Sequence, residues 1–412
     1  MLSRMPRYMF CVGWLIGLVL AGCQSDPTPI TSVEPLSAPV STPSGQPHLH
    51  ADADGTVWLS WIEPVDSVTH ALRYATFDGR SWSALQTAAT GTDWFVNWAD
   101  VPSLRPLPDG RRIAHFLESN GPDVFAYDVR ITQTAQDGAW QPALTPHRDK
   151  TQTEHGFASL LPWDGDVLAV WLDGRRMDTH ASDTGGHGVG PMTLRSALIA
   201  PDGQVSHPFE IDDRVCECCP TAAVRTADGV LVAYRDRSEN EVRNIGLTRF
   251  DGDEWSDPYL LHDDGWQING CPVNGPALAA DGNRVAAAWF TAPNSRPRVQ
   301  VAFSDDGGRQ FGEPLVVDAD GPTGRVDVVL LDDGSALVSW IGAHGEDTAL
   351  LVRQIHPSGT ASSRASLASV SRSRGTGMPR MVRRADRVYW AWVGTAGDAP
   401  RVQMAHALVP TP

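Results

Sequence analysis

The sequence has no excess of basic charge: 33 Lys and Arg stand against 49 Asp and Glu, a formal net charge of -16. A nucleic-acid surface needs a basic stripe for phosphates, so nucleic acid is not an expected partner. The chain also lacks any segment with a sustained helical period, which leaves short alternating apolar runs and an all-β reading. Long hydrophobic runs are missing as well, since Tyr8 to Leu20 falls short of a comfortable bilayer span. What is present is enough apolar material, 42% of 412 residues, to bury a large core.

The first residues read as an address. Arg4 and Arg7 precede the apolar stretch, and Leu20-Ala21-Gly22-Cys23 follows with small residues at a cleavage point. This segment resembles a bacterial lipoprotein signal. The resemblance implies that residues 1–22 are removed and that Cys23 becomes a lipidated N-terminus anchored to a membrane. Gln24 after the cysteine resembles sorting to the outer membrane, so the expected location is exported, at the outer membrane. Residues 23–46, rich in Pro, Ser and Thr, read as lipidated Cys and tether.

From residue 47 to 412 one unit recurs, with turns at Asp54-Gly55, Asp109-Gly110, Asp164-Gly165, Asp228-Gly229, Asp281-Gly282 and Asp333-Gly334. Each turn leads into a strand ending in Trp or another bulky residue, as in Val57-Trp58-Leu59-Ser60-Trp61 and Val285-Ala286-Ala287-Ala288-Trp289. Two further strands per unit give four-stranded antiparallel blades, the sequence form of a single β-propeller. The count favours seven blades, with six the alternative if one unit is irregular. The last unit stops one strand short, and residues 30–40 can supply that strand from the N-terminus and close the ring.

Ser304-Asp305-Asp306-Gly307-Gly308-Arg309-Gln310-Phe311 matches the Asp box of bacterial neuraminidase repeats, and the mature chain resembles the sialidase-like propellers. The box, carried by Ser304, Asp306, Gly308 and Phe311, is structural: the Asp accepts turn N–H groups and Gly permits positive φ. The resemblance implies a functional face on the opposite side, formed by the segments leading into each inner strand and by the loops leaving each Trp-ended strand. His155, Arg175, Asp236, Arg237, Asn274 and Asp327 are the ligand candidates there. An exo-sialidase of this family would use three Arg on a carboxylate, a Tyr nucleophile and an Asp acid/base. Arg235, Arg325, Arg380, Tyr234, Asp100 and Asp173 are the residues available for those roles. Asp100 stands where the family's first Arg belongs, which counts against catalysis. The expected function is therefore binding of a glycan or small molecule at a Cys- and Arg-bearing face. Sialidase-type hydrolysis and a protein-interaction scaffold are the alternatives.

Four cysteines remain in the mature chain: Cys216, Cys218, Cys219 and Cys271. Aligning the units places Cys218 and Cys271 at equivalent positions of adjacent blades. In an exported protein this predicts disulfides, with Cys218 or Cys219 tied to Cys271 and Cys216 joined to the one left over. No cofactor is expected on that reading. The alternatives are Cu or Zn on the closely spaced thiolates, with His155 nearby, and thiol exchange; the run does not read as a standard C-x-x-C pair. The loop from Asp173 to Thr193, with His180 and His187, reads as a surface lid.

Overall fold

The computed structural model describes residues 29–178, 189–396 and 398–409. The signal, Cys23, His180 and His187 lie outside them. The chain forms six four-stranded sheets and one three-stranded sheet, each an antiparallel meander. Taken in order they are blades 1 to 7, at residues 45–91, 104–133, 155–215, 222–262, 277–318, 324–369 and 380–408. The fold is a seven-bladed β-propeller, so the alternative of six falls away. Blade 2 is the three-stranded one, and only isolated bridges, Ile131 to Leu144 and Thr134 to Trp140, continue it outward.

Ring closure comes from the N-terminal segment. Strand Thr31–Leu36 pairs with the last strand, Ala399–Leu408, in the register Thr31 to Leu408 and Leu36 to Met404, and becomes the outermost strand of blade 7. Otherwise that edge would stand open for pairing with another chain.

Seven hydrophobic clusters hold the ring, one between each pair of neighbouring blades. The Trp-ended strands feed them with Trp61, Trp171, Trp289 and Trp340, which are fully buried. A buried indole N–H needs an acceptor. Here each finds a carboxylate: Glu63 at 3.1 Å, Asp173 at 2.8 Å, Asp264 at 2.7 Å and Asp318 at 2.8 Å respectively. Blade 4 has Tyr234 at this place, and its hydroxyl donates to Asp212 at 2.5 Å.

The Asp-box turn is formed as its residues require. Ser304 Oγ donates to Asp306 Oδ1 at 2.7 Å, while the N–H of Gly308 donates to Ser304 Oγ at 2.9 Å and that of Gln310 to Asp306 Oδ1 at 3.0 Å. Gly308 has φ of +86°, and a Cβ there would lie 2.5 Å from Leu231, so glycine is required twice over. Phe311 packs against the cluster between blades 4 and 5.

Candidate functional site

The segments leading into the inner strands fill the ring rather than framing a mouth. Trp98, Ala99, Val101, Phe157, Cys219, Val273 and Met378 come from five blades or their lead-ins and pack in one cluster. Arg325 lies 4.6 Å from the Trp98 ring and Arg374 5.9 Å from it. The Arg325 guanidinium donates to the carbonyls of Ser373 at 3.1 Å and Gly377 at 3.0 Å, and its backbone N–H donates to Asn274 Oδ1 at 2.7 Å. Asn274 and Arg325 are therefore staples of this plug.

The other residues expected to act on a sugar are also engaged elsewhere. Arg235, fully buried, donates to the carbonyls of Asn274, Arg243 and Phe290, each at 2.7 Å. Arg235 and Arg325 share no side-chain partner with Arg380, and no three-guanidinium clamp forms. Tyr234 occupies the place of a core Trp; burial and the Asp212 charge push its hydroxyl up, away from the phenolate a nucleophile needs. Asp236 is half-buried, and burial with the nearby Asp212 charge raises its carboxyl to about 6. Arg237 pairs with Glu217 at 3.0 Å and Glu241 at 2.8 Å.

Asp100 sits under the plug, where its Oδ2 accepts the Tyr127 hydroxyl at 3.1 Å and the Phe157 N–H at 2.9 Å. The same hydroxyl lies 2.8 Å from Glu154. Burial, then the Glu154 charge, raises the Asp100 carboxyl to about 7. This tyrosine between two carboxylates escaped the sequence reading. All three residues are buried, so no substrate reaches them.

His155 was expected near the cysteines, but it lies in another cluster. Its ring stacks on His147 at 3.8 Å. The two imidazoles face Asp128, Asp149 and Asp173, with His155 Nε2 3.3 Å from Asp149 Oδ1 and His147 Nδ1 2.9 Å from Asp149 Oδ2. Burial works against a charge on His155, but the Asp128 and Asp149 carboxylates outweigh it and raise the imidazole to about 9. Arg175 closes the cluster with a two-bonded fork on Asp173, both bonds 2.6 Å, and a contact of 3.0 Å to Asp149. Asp173 and Arg175 thus belong to a buried ion-pair network.

The cysteines converge. Cys218 and Cys271 form a disulfide between blades 4 and 5, and Cys216 and Cys219 remain as buried thiols with their sulfurs 2.7 Å apart. Cys216-Glu217-Cys218-Cys219 does contain C-x-x-C spacing, between its first and last cysteines. The intervening Cys218 hid it.

One open space lies along the propeller axis. A channel of about 400 Å³ is lined by the inner strands of all seven blades, and its wall runs as far as Ala51, Ala280 and Arg383, at or one residue short of the ends of their strands. The wall thus extends from the lead-in residues Thr221 and Pro276 to the strand ends that carry the Asp-Gly turns, the face opposite to the one expected from the repeat. Polar groups in its wall are His48, His50, Ser103, Arg105, Ser159, Thr221, Asp327, Arg380 and Arg383. Arg105 Nε, Arg380 Nε and His48 Nδ1 are buried without a hydrogen-bond partner. Burial lowers Arg105 to about 10 and His50 to about 3, so near neutral pH the guanidinium is charged and the imidazole neutral. Burial, then the Arg380 and Arg105 charges, lowers His48 as well. Asp327 is tied to the backbone N–H groups of Met381 at 2.7 Å and Val328 at 2.9 Å.

No known family matches the sequence, and no curated protein does. Solved structures with the same fold are found. A protein of unknown function from Dyadobacter fermentans is 15% identical, with TM-score 0.50, covering 78% of this chain and 96% of its own. The polysaccharide lyase Uly1 is 10% identical, with TM-score 0.52, covering 90% and 91%. The GH93 α-L-arabinofuranosidase of Fusarium graminearum, in complex with arabinobiose, is 13% identical, with TM-score 0.47, covering 92% and 98%. Together with the seven sheets, the first two of these show that the chain has the β-propeller fold, which the polysaccharide lyase Uly1 shares.

Proposed function

We propose that this protein is an exported lipoprotein, tethered through Cys23, whose propeller binds an anionic sugar in its axial channel. The observation that carries the reading is the pair of unpartnered guanidinium nitrogens, Arg105 Nε and Arg380 Nε, in the channel wall. Buried donors without partners cost free energy unless a ligand or water completes them. With burial holding His48 and His50 down, three arginines, Arg105, Arg380 and Arg383, line the wall against one backbone-bonded carboxylate, and among the described residues only Arg383 has an acidic partner outside it, Asp332, so the wall favours an anion. A carboxylate suits the forked donors of arginine, and sugar hydroxyls suit Ser103 and the neutral imidazoles. An acidic saccharide meets both demands, and polysaccharide chemistry is that of the lyase sharing the fold. No hydrolysis is part of this reading, because the channel wall holds Asp327 alone as a carboxylate and glycoside hydrolysis ordinarily needs a pair.

Titration calorimetry of the detergent-extracted protein with uronic-acid and neutral oligosaccharides tests it. Arg105→Ala and Arg380→Ala are each expected to weaken binding of the acidic sugar by about tenfold or more. Equal binding of neutral and acidic sugars, or no effect of either substitution, would sink the reading.

A further inference from the structure

The N-terminal segment enters the ring at a fixed point. Pro29 and Ile30 are buried, and Ile30 shares a cluster with Val329 and Leu331 of blade 6 and with Met381 and Val388 of blade 7. The next residue, Thr31, pairs with Leu408, which stands opposite Arg387, the first strand residue after the turn Ala385-Asp386. Beside them the Val409 N–H donates to the Asp386 carbonyl at 2.8 Å. The segment therefore meets the domain on the Asp-Gly turn face, at the corner between blades 6 and 7. From there it climbs the outside of blade 7 and reaches the other face at Ser44, whose N–H donates to the Pro400 carbonyl at 3.0 Å.

Two surfaces compete for a membrane. The plug face carries protruding valines: Val65, Val68, Val96 and Val124 are 52%, 60%, 46% and 74% exposed, each in a loop at the plug end of blade 1 or 2. Exposed apolar side chains of this kind favour insertion into a bilayer. Tether length decides between the two faces. Gln24 to Thr28 separate Cys23 from the buried Pro29, so even full extension gives a reach of about 20 Å. A ten-residue strand such as Ala399–Leu408 spans about 30 Å from one face to the other. Seating the valines in the bilayer would lift Pro29 about 30 Å above it, beyond that reach.

We propose that the Asp-Gly turn face, at blades 6, 7 and 1, is the surface this protein turns toward a lipid bilayer, and that the plug face with its valines stands about 30 Å away from it. Blade 1 belongs to this surface because Arg384, beside the blade 7 turn, donates to the Asp78 carbonyl in a blade 1 turn at 2.9 Å. The inference rests on the lipid tether at Cys23 proposed above.

The test uses the full-length lipidated protein, purified in detergent and returned to vesicles of phosphatidylethanolamine and phosphatidylglycerol that carry a nitroxide quencher on the headgroup. Two exposed positions, Asp332→Cys beside the blade 6 turn and Val124→Cys on the plug face, are labelled one at a time with a fluorescent maleimide under native conditions, where Cys216 and Cys219 are buried. The label at position 332 should lose most of its emission to the quencher, and the label at position 124 should keep its own. Lengthening the tether by about 20 Gly and Ser residues after Thr28 should narrow that difference, because the reach then exceeds the height of the domain. Equal quenching at both positions with the native tether, or stronger quenching at position 124, would overturn the proposal. Flotation of the vesicles separates this from the reading beneath it. Protein that fails to float shows that the lipid tether is wrong and takes the orientation with it, whereas protein that floats with the quenching reversed overturns the orientation alone.

Discussion

The buried acids each answer to a particular neighbour. Asp100 is the clearest case: its carboxyl is raised from 3.8 to about 7 because it is buried, with Glu154 across the Tyr127 hydroxyl. Between pH 4 and 7 the unfolded chain has released this proton while the folded chain retains it. Asp100 therefore favours the folded state at low pH, and this contribution is lost as pH rises to about 7. Asp100→Asn should remove that slope and recover up to about 4 kcal/mol near pH 7 to 8, measured by chemical denaturation across pH. An unchanged pH profile would show that Asp100 is not the group retaining the proton. Gly156 belongs to the same site, since a Cβ there would lie 2.1 Å from Asp100 and 2.7 Å from the Tyr127 hydroxyl. Gly156→Ala should cost about 1–3 kcal/mol by overpacking, read from the same denaturation curves.

At the scale of the element, turns and edges decide stability. Asp306 accepts two hydrogen bonds that hold the Asp-box turn. Asp306→Ala should lower stability by about 1–3 kcal/mol without changing ligand affinity in the folded fraction, and a selective loss of binding at constant melting temperature would contradict this. The closing strand Thr31–Leu36 is mostly exposed, so its contribution is edge pairing more than burial. Deleting residues 30–36 should lower the melting midpoint by several degrees and produce self-association on size exclusion, as an unpaired edge finds another chain. A monomer with unchanged melting would show that closure does not depend on this strand.

Strand order, blade number and the closing strand were legible because they rest on local patterns: alternation, Asp-Gly turns, and a last unit one strand short. The adjacency of Cys218 and Cys271 followed from aligning those units. The position of the cavity was not legible, because it depends on the bulk of Trp98, Phe157 and Met378 where five blades meet. The roles of the arginines were hidden for a similar reason. Arg235 binds carbonyls 39 and 55 residues away, and no local pattern announces a backbone partner. Two signals were present in the sequence and went unread. The spacing Trp61-Ile62-Glu63 and Trp171-Leu172-Asp173 pairs an indole with an acid two residues on, and His147, Asp149 and His155 crowd one polar segment between blades.

At the scale of the whole molecule, the tether proposed at Cys23 precedes a ring whose axial channel is lined by all seven inner strands. Replacing Cys23 by Ser should release the protein from membranes into the soluble fraction, and full retention would count against lipidation. The central claim is that the ligand sits on the propeller axis, between Arg105 and Arg380, rather than over the plugged face at Trp98. A crystal structure of the protein with a bound uronic-acid oligosaccharide tests it most directly. The account predicts the sugar carboxylate within hydrogen-bond distance of Arg105 or Arg380 inside the channel. A sugar resting on Trp98 and Arg374, with the channel unchanged, would contradict it.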